Sequence, residues 1–168
     1  QLAQRQLRNT EGADPKLVER CTRIVEQLKR LNALLQEFRA LARRQRMEFS
    51  SVDLNTVVKE VVDNAMVECE ASGISTRFMA SANDAHAEVD GAKMTQVVVN
   101  LVKNGAEAML SGGILTVRLH ADEDQVSILV EDEGGGVPED VDIFTPFIST
   151  KELGTGLGLA VVRRIVAV

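Results

Sequence analysis

The sequence predicts an α/β fold, a two-layer α/β sandwich preceded by a long helix. Before position 49, apolar residues recur alternately every four and every three places, as in helices that pack against other helices. After position 49, segments with an apolar residue at every second place alternate with segments of helical periodicity. We therefore divide the chain into a helical arm, 1–48, and a mixed α/β domain, 49–168.

The composition fits one packed domain with an arm attached. A chain of 168 residues with 45% apolar residues can bury one substantial core. The net charge of −6 argues against a nucleic-acid binder, because neutralising a phosphate backbone requires a basic surface. No apolar run reaches the roughly 20 residues that span a bilayer, so we expect no membrane contact here, and any membrane anchor of the full-length protein would lie elsewhere.

The two cysteines, Cys21 and Cys69, lie far apart in the sequence at apolar helical positions. Their spacing is not that of metal ligands, so we expect buried reduced thiols and neither a disulfide nor a zinc site. This favours a cytoplasmic location.

The arm is predicted to contain one long helix, with Asp14 as its N-cap and Pro15 as its first residue. Its apolar stripe consists of Leu17, Cys21, Ile24, Leu28, Leu31, Leu35, Phe38 and Ala42. One helix cannot bury this stripe alone. We therefore expect homodimerisation through a helical hairpin, with 1–8 as the end of its first helix and 9–12 as the turn. Packing of the helix on the chain's own domain is the alternative.

The α/β domain is predicted to begin with a short strand around Val52 and a helix that Asp53 caps and that ends near Cys69. Strands follow at 74–80 and 87–89, then a helix at 92–110, strands at 114–121 and 125–131, and a final helix at 156–168. We expect one sheet with the three helices packed on one side of it.

Two asparagines share one face of the helix predicted at 92–110, because Asn100 and Asn104 are four residues apart. Asparagine is a mediocre helix former, and the neighbouring face is rich in valine. The pair therefore indicates a function, such as holding a hydrated divalent cation through a carbonyl oxygen. A solvated helix edge is the alternative.

A carboxylate and three glycines follow the strand predicted at 125–131. Asp132 can accept a hydrogen bond from an exocyclic amine, which would select adenine over a base without that donor. Gly134, Gly135 and Gly136 would let the backbone approach a ligand closely. An ordinary turn between strand and loop is the alternative.

A third segment, Gly154-Thr155-Gly156-Leu157-Gly158, opens the last helix. Its backbone amides and the positive end of the helix dipole can bind phosphate oxygens, and Lys151 can add a charge. No Gly-Lys-Ser/Thr follows, so the segment is not a P-loop, and it also lacks the glycine spacing of a dinucleotide fingerprint.

In this order, the three segments closely resemble the N, G1 and G2 boxes of the ATPase superfamily that includes gyrase, a heat-shock chaperone, mismatch-repair proteins and histidine kinases. Phe144 and Phe147 resemble the F box of histidine kinases, and the arm resembles the second dimerisation helix of sensor kinases of the nitrogen-regulation type. The resemblance implies the GHKL, or Bergerat, ATP-binding fold and a place in two-component signalling.

Residue roles follow from this resemblance. Asn104 would bind Mg²⁺, Asn100 would support the metal and the phosphates, and Asp132 would hold the adenine amine. Gly134 and Gly136 would shape the base pocket. The remaining contacts to ATP are expected from Phe147, Thr150, Lys151, Gly154, Thr155, Gly156, Leu157 and Gly158. The segment 137–153 would form a mobile lid anchored by Phe144 and Phe147.

Three positions bear on the kind of enzyme. Hydrolysing members of the superfamily carry a water-activating glutamate where this chain has Asn100, which favours phosphoryl transfer over hydrolysis. Many kinases of the family carry a lysine where this chain has Glu107, so Lys151 becomes the candidate for the charge on the phosphates. Gly105 replaces a more usual alanine, at a helix cost of about 1 kcal/mol.

No acceptor histidine of the family type precedes position 14, and His86 and His120 lie in or beside predicted strands. The chain also lacks the last strands of such domains, so we expect a kinase fragment shortened at both ends. The resemblance implies a catalytic domain that transfers the γ-phosphoryl group of ATP to a histidine outside this sequence, for relay to an aspartate of a response regulator. An ATPase of the GHKL type and an ATP-sensing dimer module without transfer are the alternatives.

Overall fold

The computed structural model describes residues 15–42, 46–138, 140–149, 151 and 154–167. The predicted first arm and turn of the hairpin at 1–12, the predicted cap Asp14, and Thr150 of the predicted site lie outside these residues. Contacts divide the chain into two units, 1–42 and 43–168, which are described separately below.

The first unit contains helix α1, Pro15–Ala42, at the predicted position. Its apolar stripe is exposed, with exposed fractions of 52% for Leu17, 58% for Ile24 and 53% for Phe38. Cys21 of the same stripe is half-buried and carries a free thiol. A stripe of this kind leaves a large apolar area in water, which disfavours the isolated helix.

The second unit contains all the remaining elements. In chain order they are β1 (Ser50–Asp53), α2 (Leu54–Ala71), β2 (Ile74–Met79), β3 (His86–Val89), α3 (Gly91–Ala108), β4 (Gly113–Ala121), β5 (Val126–Glu131) and α4 (Gly158–Val166). Asp53 caps α2 as predicted, because its carboxylate accepts a hydrogen bond from Asn55 N–H at 3.0 Å. The predicted α/β class is confirmed. Of the described helices, none combines the length and the apolar character needed to cross a membrane.

The described strands form two sheets, so the expectation of one sheet is wrong. β1 pairs with β3 in antiparallel fashion, and β4 lies between a parallel β2 and an antiparallel β5. The chain between β2 and β3 returns to β1, where Ala85 C=O accepts a hydrogen bond from Leu54 N–H at 3.1 Å. This contact fixes the start of β3 beside the end of β1.

Two predicted helix boundaries also differ from the structure. α3 ends at Ala108 and not at 110, and Leu110 in the following turn is 96% exposed. α4 begins at Gly158 and not at 156, because Gly156 has a left-handed backbone with a φ of 66°. That conformation cannot continue into a right-handed helix.

The core of the second unit lies between the helices and the three-stranded sheet. Val58, Val98, Leu115 and Val117 are each at most 1% exposed. α2 and α3 pack against each other and against the sheet, and α4 packs against α3. Cys69 is buried in this core as predicted, and its burial raises the pKa of the thiol. This packing brings both the start of α4 and the end of β5 close to α3.

Candidate nucleotide-binding site

Asn100, the first of the two asparagines of α3, faces the start of α4. Asn100 Nδ2 donates a hydrogen bond to Gly158 C=O at 3.3 Å, and both asparagine side chains are half-buried. The predicted N segment and the predicted glycine-rich loop, separated by more than 50 residues, are therefore in direct contact. Asn100 does not lie on a solvated helix edge, since its amide joins α3 to α4.

Gly105 brings α3 close to the end of β5. A Cβ at this position would lie 2.6 Å from Leu115 Cδ1 and 3.4 Å from Asp132 Cβ. The absence of a side chain thus allows a close approach between the helix, β4 and the residue that follows β5. The departure from alanine noted in the sequence has a packing reason, which offsets the helix cost of about 1 kcal/mol.

Asp132 follows β5 and is exposed, and its carboxylate is oriented by its own loop. Asp132 Oδ1 accepts a hydrogen bond from Gly134 N–H at 2.9 Å. Within the described part of the chain, no hydrogen bond to Oδ2 is formed. One carboxylate oxygen is therefore fixed by the backbone and the other is left for a donor such as an exocyclic amine.

The G1 loop packs tightly at one glycine and is open at another. A Cβ on Gly134 would lie 2.7 Å from Ala108 Cβ and 2.8 Å from Ala108 O, so only glycine fits there. Gly136 has a φ of 73°, which favours glycine for its conformation, and it has no atom within 4 Å of the place of a Cβ. This open space in the loop after Asp132 is compatible with a planar ligand.

Sequence reasoning missed the contribution of Glu133 to this loop. Glu133 Oε2 accepts a hydrogen bond from Ile114 N–H at 3.0 Å, which ties the loop to β4. The signal was not visible in the sequence, because a glutamate between an aspartate and a glycine has many possible partners.

The G2 loop is closed by a backbone contact with the F box. Phe147 N–H donates to Gly156 C=O at 2.9 Å, and a Cβ on Gly156 would lie 2.6 Å from Ile148 O. Leu157 at the start of α4 is buried and provides no side-chain cap for the helix. Leu157 N–H donates to Thr155 Oγ1 at 3.3 Å, while the first turn of α4, from Gly158, has no side-chain cap and leaves its amides for a phosphate.

The F box segment is held by Asp142. Its carboxylate accepts hydrogen bonds from Phe144 N–H at 3.0 Å and Thr145 Oγ1 at 2.9 Å, and Arg163 of α4 lies 3.8 Å away. The hydrogen bond from Thr145 is the main reason why the pKa of Asp142 is lowered. Asp142 and Arg163 were not identified in the sequence, since neither belongs to a motif.

Of the two phenylalanines expected to anchor the lid, Phe147 contributes through its backbone and not through its ring. Its ring is 68% exposed, and its backbone has a φ of 67°, an uncommon value for a residue with a side chain. Phe144 is 39% exposed. The segment is held by the backbone bond to Gly156 and by Asp142, which leaves the ring of Phe147 at the surface.

Lys151 reaches the helix that carries the asparagines. Lys151 Nζ lies 2.9 Å from Glu107 Oε2 and donates to Asn104 C=O at 3.1 Å. The predicted candidate for the phosphate charge is thus adjacent to the predicted metal ligand. Sequence reasoning did not identify Glu107 as the partner of Lys151.

The two histidines lie on strands, as predicted. His86 Nδ1 is bound to Asp84 Oδ1, and this hydrogen bond raises the pKa of His86. His120 is exposed on β4.

The described residues contain no cluster of three His, Cys, Asp or Glu side chains that could hold a metal ion. The predicted ligand is the amide of Asn104, whose side chain is half-buried. An amide oxygen together with phosphate oxygens and water is a donor set that suits Mg²⁺.

Residues 89–168 match the family of histidine kinase-, DNA gyrase B-, and HSP90-like ATPases. Sporulation kinase C of Bacillus subtilis (strain 168) is 34% identical over 151 residues, which cover 84% of this chain and 34% of that kinase. The chain therefore spans about a third of the length of this curated relative.

Solved structures of two histidine kinases are similar to this chain. The catalytic domain of ThkA is 33% identical with a TM-score of 0.65, over 71% of this chain and 80% of that domain. ThkA in complex with the response regulator protein TrrA has 25% identity and a TM-score of 0.75, over 95% of this chain and 47% of that chain. Full-length ShkA in complex with AMPPNP has 25% identity and a TM-score of 0.79, over 98% of this chain and 36% of that chain.

Proposed function

Because this chain belongs to the histidine kinase-, DNA gyrase B-, and HSP90-like ATPase family, as the catalytic domain of a sensor histidine kinase, we propose that it binds Mg-ATP and donates the γ-phosphoryl group to a histidine. The acceptor would be neither His86 nor His120 but a histidine outside this sequence. The phosphoryl group would then pass to an aspartate of a response regulator.

The observation that carries this proposal is the convergence of three distant segments on one end of α3. Asn100 is bonded to Gly158, Gly105 lies against Asp132, and Lys151 is bonded to Asn104 C=O. This supports one site that combines a carboxylate for an adenine amine, the start of α4 for phosphates, and an amide with an ammonium group.

We assign these residues to the nucleotide as follows. Asp132 Oδ2 would accept a hydrogen bond from the adenine amine, and Gly134 and Gly136 would let the base lie against the backbone. Asn104 would hold Mg²⁺, which supplies charge compensation for the phosphates when it is bound. The triphosphate would lie along the backbone of Gly154, Gly156 and Gly158, with Phe147, Thr150, Thr155 and Leu157 as flanking contacts.

Transfer to a protein acceptor fits Asn100 better than hydrolysis does. In the transfer, a bond forms between an imidazole nitrogen and the γ-phosphorus, the bond to the β–γ bridging oxygen breaks, and ADP leaves. Hydrolysis would require a general base near the attacking water. Asn100 cannot act as a base, and its amide is already bonded to Gly158 C=O.

The arm and the partners are part of the same proposal. We assign 1–48 to the end of a helical dimerisation hairpin and 49–168 to the catalytic domain. The exposed stripe of α1, which includes Leu17, Ile24 and Phe38, supports homodimerisation. The complex of ThkA with TrrA supports a response regulator as the downstream partner. The site would operate in the cytoplasm, where ATP is available.

The proposal is tested with γ-labelled ATP. The chain alone should bind nucleotide without taking up label, and a supplied dimerisation domain with an acceptor histidine should become labelled. Asn104→Ala should abolish transfer, whereas the double variant His86→Gln/His120→Gln should transfer as the original chain does. Label on His86 or His120 would contradict the proposal, and release of phosphate without an acceptor would favour the ATPase alternative.

A further inference from the structure

A compact group of charges joins the segment before the G2 loop to α3. Lys151 Nζ lies 2.9 Å from Glu107 Oε2, while Lys103 Nζ lies 3.8 Å from Glu107 Oε1. The side chain of Lys151 is 31% exposed and that of Lys103 is 62% exposed. Lys151 therefore forms the closer and less solvated of the two ion pairs, although it is 44 residues away from Glu107 in sequence.

The backbone around Lys151 is fixed by a tight turn. Lys151 N–H donates to Ser149 Oγ at 3.1 Å, and Gly154 N–H donates to Lys151 C=O at 3.1 Å. A Cβ on Gly154 would meet Ser149 Oγ, so glycine at position 154 lets the turn close without displacing that hydroxyl. The direction in which Lys151 leaves the backbone is thus determined by its own loop.

An ammonium group has three N–H donors. Within the described part of the chain, two of the donors on Lys151 are used, by Glu107 Oε2 and by Asn104 C=O. The third is left for an acceptor next to Asn104. A phosphate oxygen is a suitable acceptor, since charge-assisted hydrogen bonds between ammonium and phosphate are short and strong.

We propose that Glu107 is a positioning residue that holds the Lys151 ammonium beside Asn104, where it binds the terminal phosphate of ATP. Lys151, which lies in a loop, thereby provides the cation that a lysine on the helix would otherwise provide. Glu107 holds this ammonium group in place. This inference rests on the proposed function, because it requires a triphosphate at Asn104.

The consequence is a preference for triphosphate over diphosphate. Lys151 meets the terminal phosphate, so its loss affects ATP and AMPPNP more than ADP. Lys103 and Lys151 both balance the negative charge of the Glu107 carboxylate. We therefore expect the removal of this carboxylate to change nucleotide affinity mainly through the position of Lys151. Lys103 is on the same helix and contacts the same carboxylate, which makes it the matched control.

The experiment measures Mg-AMPPNP and Mg-ADP dissociation constants by calorimetry for the original chain, Lys151→Met, Glu107→Met and Lys103→Met. Relative to the original chain, the ratio of AMPPNP to ADP affinity should fall about tenfold in Lys151→Met, as expected for one charge-assisted hydrogen bond. It should fall about threefold in Glu107→Met and less than twofold in Lys103→Met. Thermal unfolding of each variant checks that the domain remains folded.

A charge-reversed variant, Glu107→Lys/Lys151→Glu, provides a second readout, because it returns an ammonium group to the same place from the helix. It should recover most of the AMPPNP preference that Lys151→Met loses. An unchanged ratio in Glu107→Met, or an equal fall in Lys103→Met and Lys151→Met, would overturn the inference while nucleotide binding stands. Failure of the original chain to bind either nucleotide would instead overturn the proposed function.

Discussion

Replacing Gly105 with alanine is expected to destabilise the α/β unit, although alanine is the better helix former. In a helix interior, alanine is favoured over glycine by about 1 kcal/mol. The new Cβ would lie 2.6 Å from Leu115 Cδ1, and Leu115 is only 1% exposed. Forcing a methyl group into a filled core costs about 1–3 kcal/mol, so the net effect is a loss of about 1 kcal/mol.

The assay is thermal and urea unfolding of Gly105→Ala, Gly91→Ala, Leu115→Val and the double variant Gly105→Ala/Leu115→Val. Gly105→Ala should lower the Tm by about 4 °C for a domain of this size. Gly91→Ala, in the same helix, should be neutral or stabilising, because its Cβ would lie 3.5 Å from Val52 Cγ2 in ordinary contact. In a Leu115→Val background, which removes the clashing Cδ1, Gly105→Ala should become stabilising.

A stabilisation by Gly105→Ala as large as that by Gly91→Ala would refute a steric conflict at Leu115. An effect of Gly105→Ala that is the same in the original and the Leu115→Val backgrounds would also refute it, because a steric conflict requires coupling between these two positions. A decrease in stability that disappears in the Leu115→Val background would locate the cost at the contact between α3 and β4.

Three further predictions concern the nucleotide-binding site, the stability at acid pH and the helical arm. Asp132→Asn should weaken ATP binding by about tenfold in a nucleotide titration, with an unchanged Tm, because the amide oxygen can still accept from Gly134 N–H; equal affinity would remove Asp132 from the adenine site. The lowered pKa of Asp142 means that its contribution to stability is complete above its unfolded value and lost as the pH falls through its folded pKa. The urea midpoint of Asp142→Asn should therefore depend less on pH across that acid range, and identical pH profiles would contradict this. Leu28→Lys should raise the dimer dissociation constant by about a hundredfold or more in sedimentation, since each buried leucine contributes about 1.5–3 kcal/mol.

Elements with a local signal could be predicted from the sequence. Asp53 and the residues after it specify a capped helix within a few positions, and the period of two in 114–121 specifies a strand that buries Leu115 and Val117. The three site segments were also predictable, because glycines and polar residues at a helix start or a strand end are locally unusual. These features depend on neighbours within about one turn.

The remaining features depend on contacts between distant segments. The pairing of β1 with β3 is set by a backbone contact at Ala85, and the sequence of a four-residue strand does not select its partner. The ion pair of Lys151 with Glu107 spans 44 residues, and a surface glutamate has many possible partners. The exposed ring of Phe147 follows from a left-handed backbone that phenylalanine alone does not predict.

The proposed preference for transfer over hydrolysis involves the packing at Asn100 as well as its chemistry. Asn100 Nδ2 donates to Gly158 C=O, and this bond connects α3 to the first residue of α4, the proposed phosphate-binding helix. A glutamate at this position would supply a general base, but its ionised carboxylate has no proton to donate and would face a carbonyl oxygen. The start of α4 would therefore lose its link to α3 when the base is introduced. A change from kinase to ATPase chemistry at this site would thus require a second substitution that holds α4 by another contact.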